Sequence, residues 1–320
     1  VDADSILEPD ALLHIMKPFL EDETPGLTLA TGGIVRVANG CRVEHGRITR
    51  VQAPLSLLAS FQAVEYLRAF LGGRIAYSFL NSLLVISGAF GVFRRDAILQ
   101  AGGFLTRTVG EDMELVVRLH RMWREKGASS TGRGRSGATY RIVFVPEPVS
   151  WTEAPESLTA LNRQRNRWQR GLVESLWTHR RVFGNPRYGV LGLFAFPYFV
   201  LFELLGPTVE LIGYAVTALG LALGVVPLRL AALFALVSIG FGMLLSVSAL
   251  LLEELTVRRY PRARDVARLV GAALVENFGL RQLLAVWRTK ALFDALRGQR
   301  GWGAMERQGF PPAAPDSALR

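Results

Sequence analysis

The sequence predicts an α/β layer structure followed by interfacial and membrane-spanning helices. Three observations carry that expectation. Helical and strand-like patterns alternate from Val1 to about Pro155, a basic amphipathic stretch follows, and beyond Val190 the chain becomes strongly apolar. The boundaries that follow are an α/β domain at 1–155, an interfacial helical region at 156–189, a transmembrane hairpin at 190–255 and a cytoplasmic interfacial or re-entrant helix with its tail at 256–320.

Within the first part, Ser5 to Leu20 reads as a helix with Ser5 as N-cap and Glu8 three residues on, and Leu27 to Val37 reads as a strand. Pro54 opens a helix expected to run to about Leu71. Leu83 to Phe93 is an apolar run broken by Ser87-Gly88-Ala89, where the glycine implies close backbone approach. Met113 to Trp123 has helical spacing, and Tyr140 to Val145 has strand composition and should end at Pro146. Between them Gly127 to Thr139, rich in Gly, Ser and Arg, reads as a mobile surface loop of unassigned role. The start Val1-Asp2-Ala3-Asp4, with neither methionine nor a signal segment, reads as the end of a buried strand in a longer protein.

Leu158 to Trp177 is predicted as a long basic helix at the membrane interface. Leu230 to Leu252 is an uncharged apolar run longer than the roughly 20 residues that cross a bilayer. A preceding span is expected from about Phe202 to Val226, after an interfacial piece carrying Pro197. Arginines crowd both outer flanks of this hairpin, which puts both flanks in the cytosol. Val266 to Trp287 is apolar, but Glu276, Asn277 and Arg281 interrupt it, so it is expected to stay on the cytosolic side, with Trp302 to Arg307 able to fold back over the site. Glu203 and Glu210 either line a polar path or pair with arginines at the boundary.

Composition narrows the function classes. The net charge of +10 rests almost wholly on arginine, and the mean hydropathy of +0.26 is high for a soluble protein. This suits anionic lipid and phosphate-bearing substrates, and no nucleic-acid-binding signature accompanies it. The single cysteine, Cys41, excludes an internal disulfide or a multi-cysteine metal site, and the four histidines match no helical ligand spacing.

Three sites can carry chemistry, each with a plainer alternative. Asp2 and Asp4 can converge on a hard divalent cation, or be merely solvated. Glu111 and Asp112 follow Gly110 at the start of a helix, where acids also serve as ordinary caps. Gln164, Arg165, Arg167 and Trp168 sit in a guanidinium cluster whose forks match diphosphate oxygens, or which is simply a basic interfacial helix.

In this order the three sites resemble the inverting family 2 glycosyltransferases of the processive, membrane-embedded type: the cellulose, chitin, hyaluronan and poly-N-acetylglucosamine synthases. The Q-x-x-R-W motif matches Gln164, Arg167 and Trp168 residue for residue, and Gly110 stands where threonine is commoner. The resemblance implies the C-terminal half of a GT-A, Rossmann-like domain, with the nucleotide-binding half ahead of Val1, so the isolated chain is expected to be inactive and to bind UDP poorly. It implies Mg²⁺ or Mn²⁺ on Asp4 and Asp2, Asp112 as catalytic base with Glu111 beside it, Arg165 and Arg167 at the diphosphate, Trp168 and Gln164 at the acceptor, and Ser87 and Gly88 in the acceptor-side loop. The implied partners are a nucleotide-sugar donor, a UDP-sugar above all, a glycan or lipid-linked acceptor and membrane lipids. The implied place is the bacterial inner (cytoplasmic) membrane, multi-pass, with the catalytic domain facing the cytosol. A non-processive glycolipid glycosyltransferase and a non-catalytic membrane subunit are the competing readings.

Overall fold

The computed structural model describes residues 1–298 apart from 3, 24–25 and 131–139. A four-stranded sheet, in the order β1-β6-β2-β5, forms the α/β part. Strand β2 (Thr28–Val37) is buried along its whole length and runs parallel to β6 (Arg141–Thr152). The short strands β1 (Ile6–Leu7) and β5 (Gly91–Phe93) close the two edges, both antiparallel. A separate hairpin pairs β3 (Arg42–Glu44) with β4 (Arg47–Arg50).

Four local expectations are corrected. The first helix, α1, begins at Ala11, not Ser5, because Ile6 and Leu7 pair with Trp151 and Ser150, while the Glu8 carboxylate accepts from the indole of Trp151 and pairs with Arg259. Val1 and Asp2 lie outside any strand and are exposed. The strand expected to stop at Pro146 continues to Thr152. Val145 pairs with Gly33 and Val149 with Ile34, so residues 146–148, including two prolines that lack an N–H, bulge out of the ladder. Helix α2 (Leu57–Leu67), capped by Ser56, does not end near Leu71. It continues through a π-helical stretch, Arg68–Arg74, into α3 (Ile75–Phe79).

Helix α4 (Arg95–Ala101) stops at Gly102, whose φ of 84° supplies the left-handed turn. Helix α5 (Glu111–Ser130) includes the start of the stretch expected as a loop, and the rest of that stretch lies outside the described residues, as does Trp302 to Arg307. Helix α6 (Leu158–Thr178) is capped by Ser157. It lies between α5 and α11, and Arg165 and Arg170 are buried in protein.

Beyond it the chain is helical. The segment Leu191–Leu204, which contains the short α7 (Phe196–Tyr198), bends by 44° into α8 (Gly206–Ala222), and Pro207 occupies the first turn after the break. Helix α9 (Leu228–Thr256) is 29 residues long and apolar enough to cross a membrane. Counting each bent pair as one span would raise the number to three among the described residues. Helices α10 (Ala263–Val275) and α11 (Leu280–Leu296) meet at 61°.

One core joins the two parts. Leu250 of α9, Tyr260, and Leu269, Ala272 and Ala273 of α10 share an apolar cluster with Ile34 and Val35 of β2. Buried Arg36 of β2 makes two hydrogen bonds, of 2.6 and 2.7 Å, to the Glu253 carboxylate on α9. Arg68 bonds Ser246 and Glu276, tying the π-helical stretch to α9 and to the end of α10. Glu203 and Glu210 pair with Arg288 and Arg281 of α11.

Candidate active site

The acidic pair is placed by packing at the N-terminus of α5. Asp112 is partly buried; its Oδ2 accepts the Gly88 N–H at 3.2 Å and its Oδ1 accepts the Met113 N–H at 2.8 Å. Gly88 itself is exposed on the turn 87–90, closed by the Phe90 N–H on the Ser87 carbonyl. That turn lies flat on β2 because β2 offers glycine there: a Cβ at Gly33 would stand 2.1 Å from the Phe90 ring, and one at Gly32 would stand 3.0 Å from Ile86. The point where a Gly88 Cβ would stand is 3.9 Å from Asp112 Oδ2 and 3.9 Å from Asp2 Oδ1. The first and second acidic motifs therefore flank one backbone position.

Burial raises the Asp112 carboxyl above its ordinary value, against the pull of its N–H donors and of Arg74. Glu111 is also raised, by burial and then by the negative charges of Asp112 and Asp2. Three like charges thus share one region. Among the described residues no three such ligands close round a common point. The donor set still fits a hard cation that arrives with a diphosphate, since Mg²⁺ commonly takes only one or two carboxylates alongside substrate phosphates.

The third motif lies on α6. The Trp168 indole is about half exposed, with the Arg165 guanidinium 4.6 Å from its centroid and the Tyr66 ring 6.3 Å away. Gln164 is buried, and its Oε1 has no hydrogen-bond partner among the described residues. Arg165 departs from the expected diphosphate role. Its guanidinium is committed to Glu65 of α2 by two bonds, of 2.5 and 2.7 Å. Arg167 is half-buried near Tyr66, and Asp4 is half-buried beside the exposed Asp2.

Arg74 was not among the sequence-based candidates. It sits at the end of the π-helical stretch with its guanidinium 3.9 Å from the Phe70 ring centroid, and it acts electrostatically on Asp112. Desolvation lowers Arg74 to about 10, and Asp112 opposes that shift. Gly72 and Gly73 hid it, because a glycine pair reads as a helix stop. A π-helical turn is itself a frequent mark of a functional position.

The chain belongs to glycosyl transferase family group 2, whose profile matches residues 1–252. It is similar to the poly-beta-1,6-N-acetyl-D-glucosamine synthase of Staphylococcus aureus (strain COL), at 27% identity over 176 residues, which is 55% of this chain and 35% of the synthase. The synthase of Staphylococcus epidermidis of the same name is 24% identical over 182 residues, 56% of this chain and 36% of that protein. The chain therefore spans about a third of the length of these curated relatives. Among solved structures, a mannosyltransferase from Pyrobaculum calidifontis in complex with GDP-Man and Mn²⁺ aligns with 94% of this chain and 62% of its own, at 14% identity and a TM-score of 0.46.

Proposed function

We propose that the chain forms the acceptor-side catalytic face of a membrane-bound inverting glycosyltransferase, which moves a sugar from a nucleotide-sugar, UDP-linked, to a hydroxyl of a glycan or lipid-linked acceptor. The observation that carries this reading is the convergence of Asp112 and Asp2 on Gly88, in a chain whose family transfers sugars.

Asp112 acts as the base. Its Oδ2 takes the acceptor hydroxyl proton while that oxygen bonds the anomeric carbon and the bond from that carbon to the diphosphate oxygen breaks. A raised carboxyl suits the task, because a base whose pKa lies nearer the working pH transfers protons more effectively. The Gly88 N–H and Arg74 hold the ionised form in a half-dry site. Trp168 offers the exposed part of its ring to a sugar, and the unpartnered Gln164 Oε1 accepts a sugar hydroxyl. Asp2 and Asp4 would hold Mg²⁺ or Mn²⁺, which supplies positive charge to the departing diphosphate. Arg167 is the motif guanidinium assigned to the same oxygens.

Two relatives named above are synthases of an N-acetylglucosamine polymer, which makes UDP-N-acetylglucosamine the first donor to try. Because Glu203 and Glu210 are paired with α11, they give no support to a polymer path, and product size decides processivity. Helix α9 and the bent pair before it support a membrane hairpin with the sheet on the arginine-rich, cytosolic side.

The test is to incubate membranes containing the full-length protein with radiolabelled UDP-N-acetylglucosamine, UDP-glucose and GDP-mannose, and to size the products. Transfer from a UDP-sugar is expected. Transfer from none of the three overturns the reading, and transfer from GDP-mannose alone corrects the donor.

A further inference from the structure

The helix that carries Gln164 and Trp168 also touches the turn that delivers Asp112. Gly171 stands about 4.5 Å further along the α6 axis than Trp168. A Cβ on Gly171 would come 2.8 Å from Gly110 Cα and 2.9 Å from its nitrogen, and one on Gly110 would come 2.7 Å from Gly171 Cα. Both partners in that contact are backbone, so neither can yield as a side chain would.

Hydrogen bonds close the contact from the next turn of α6. The Glu174 carboxylate accepts the Thr108 hydroxyl at 2.7 Å and the Val109 N–H at 3.0 Å. Thr108 Oγ1 in turn accepts the Gly110 N–H at 3.2 Å, and the Ser175 hydroxyl donates to the Gly110 carbonyl at 3.3 Å. Thr108 and Ser175 are buried, so these bonds are shielded from water. The turn 108–110 is therefore fixed to α6, two residues before Asp112. Residues 164, 168, 171 and 175 recur at intervals of four, three and four, so the acceptor-binding side chains and the clamp share one face of the helix.

We propose that the Gly110–Gly171 contact, closed by Thr108, Glu174 and Ser175, is a positioning device that fixes the reach from Asp112 to the acceptor held by Gln164 and Trp168. The proposal rests on the reading of Asp112 as the base. Thr108, Gly110, Gly171, Glu174 and Ser175 touch no reacting atom; they act by holding Asp112 and the acceptor face as one body. The device also explains glycine at position 110, because any side chain there would meet the α6 backbone.

In full-length protein in membranes, Gly171→Ala and Thr108→Val should each lower kcat by about 10- to 100-fold, the scale of a sub-ångström to one-ångström misplacement. Both variants should also melt lower than the wild type, one by crowding backbone against backbone and the other by removing a buried hydroxyl. Donor KM should stay close to that of the wild type, and the loss of kcat should persist per folded molecule below the transition. Thr108→Ser, which keeps the hydroxyl, should restore kcat, and Gly240→Ala, whose Cβ meets nothing within 4 Å, should be silent. Two outcomes overturn the proposal: kcat within twofold of wild type in both variants, or parallel losses of kcat, donor affinity and melting temperature in both. Asp112→Asn is assayed alongside. If it is dead while Gly171→Ala and Thr108→Val are active, the clamp alone fails; if Asp112→Asn is active, the base assignment fails. A wild type that uses none of the three donors removes both.

Discussion

Charge is arranged in opposite ways at two places in this molecule. Where β2 meets α9 it is buried as opposites: Arg36 and Glu253, both almost inaccessible, share two hydrogen bonds, and Arg68 with Glu276 and Arg165 with Glu65 repeat the pattern nearby. At the head of α5 it is gathered as likes, with Asp2, Glu111 and Asp112 acting on one region and Arg74 as a cationic neighbour. The first arrangement balances desolvation with local pairing and holds the sheet to the helices. The second gathers negative charge in excess among the described residues, with Arg74 offsetting part of it, an arrangement that a cationic or proton-donating substrate complex would relieve. The difference separates charges that maintain the structure from charges available for reaction.

The largest effect expected from disturbing this contrast is removal of the divalent cation. Excess chelator should abolish transfer in membranes, Mg²⁺ or Mn²⁺ should restore it, and Asp4→Ala should remain inactive at any metal concentration. Full activity in excess chelator would break the metal assignment while leaving Asp112 untouched.

A smaller effect sharpens the comparison through pH. Burial holds Asp112 above its ordinary carboxyl value, so activity, which needs the ionised base, should fall as pH drops through a value above the ordinary range of about 4. Arg74 favours the charged form, so Arg74→Met should raise the carboxyl further and move the acid limb of kcat to higher pH. An unmoved limb, or one displaced to lower pH, would show that Arg74 does not act on the base.

The sequence announced these two regions unequally. Helical period and composition placed α5, α6 and α9, and the order of the acidic pair and the Q-x-x-R-W residues singled out Asp112, Gln164 and Trp168 before their surroundings were known. Local rules misjudged β6 and α2. A proline is a strand stop only when its position needs a ladder hydrogen bond, and here a bulge removes the need; Gly72-Gly73 ends a helix only when packing does not carry it through. Pairing was illegible for a different reason. Arg165 meets Glu65 across 100 residues and Arg36 meets Glu253 across 217, separations at which no local pattern reveals an arginine's partner. The Gly32-Gly33 pair, which lets the 87–90 turn lie on the sheet, carried its signal only in combination with that turn.

The most direct test compares Asp112→Asn with Glu253→Gln in the same membranes, measuring transfer per folded molecule and the melting temperature of each. Asp112→Asn should lower transfer by about 100-fold or more and leave the melting temperature unchanged or raised, since it removes one of several like charges. Glu253→Gln strips the buried Arg36 of its counter-charge and should cost about 3–5 kcal/mol of stability while the surviving folded protein transfers sugar at nearly the wild-type rate. Transfer retained by Asp112→Asn, or lost from folded Glu253→Gln protein, would contradict the division of charge into reactive and structural sets.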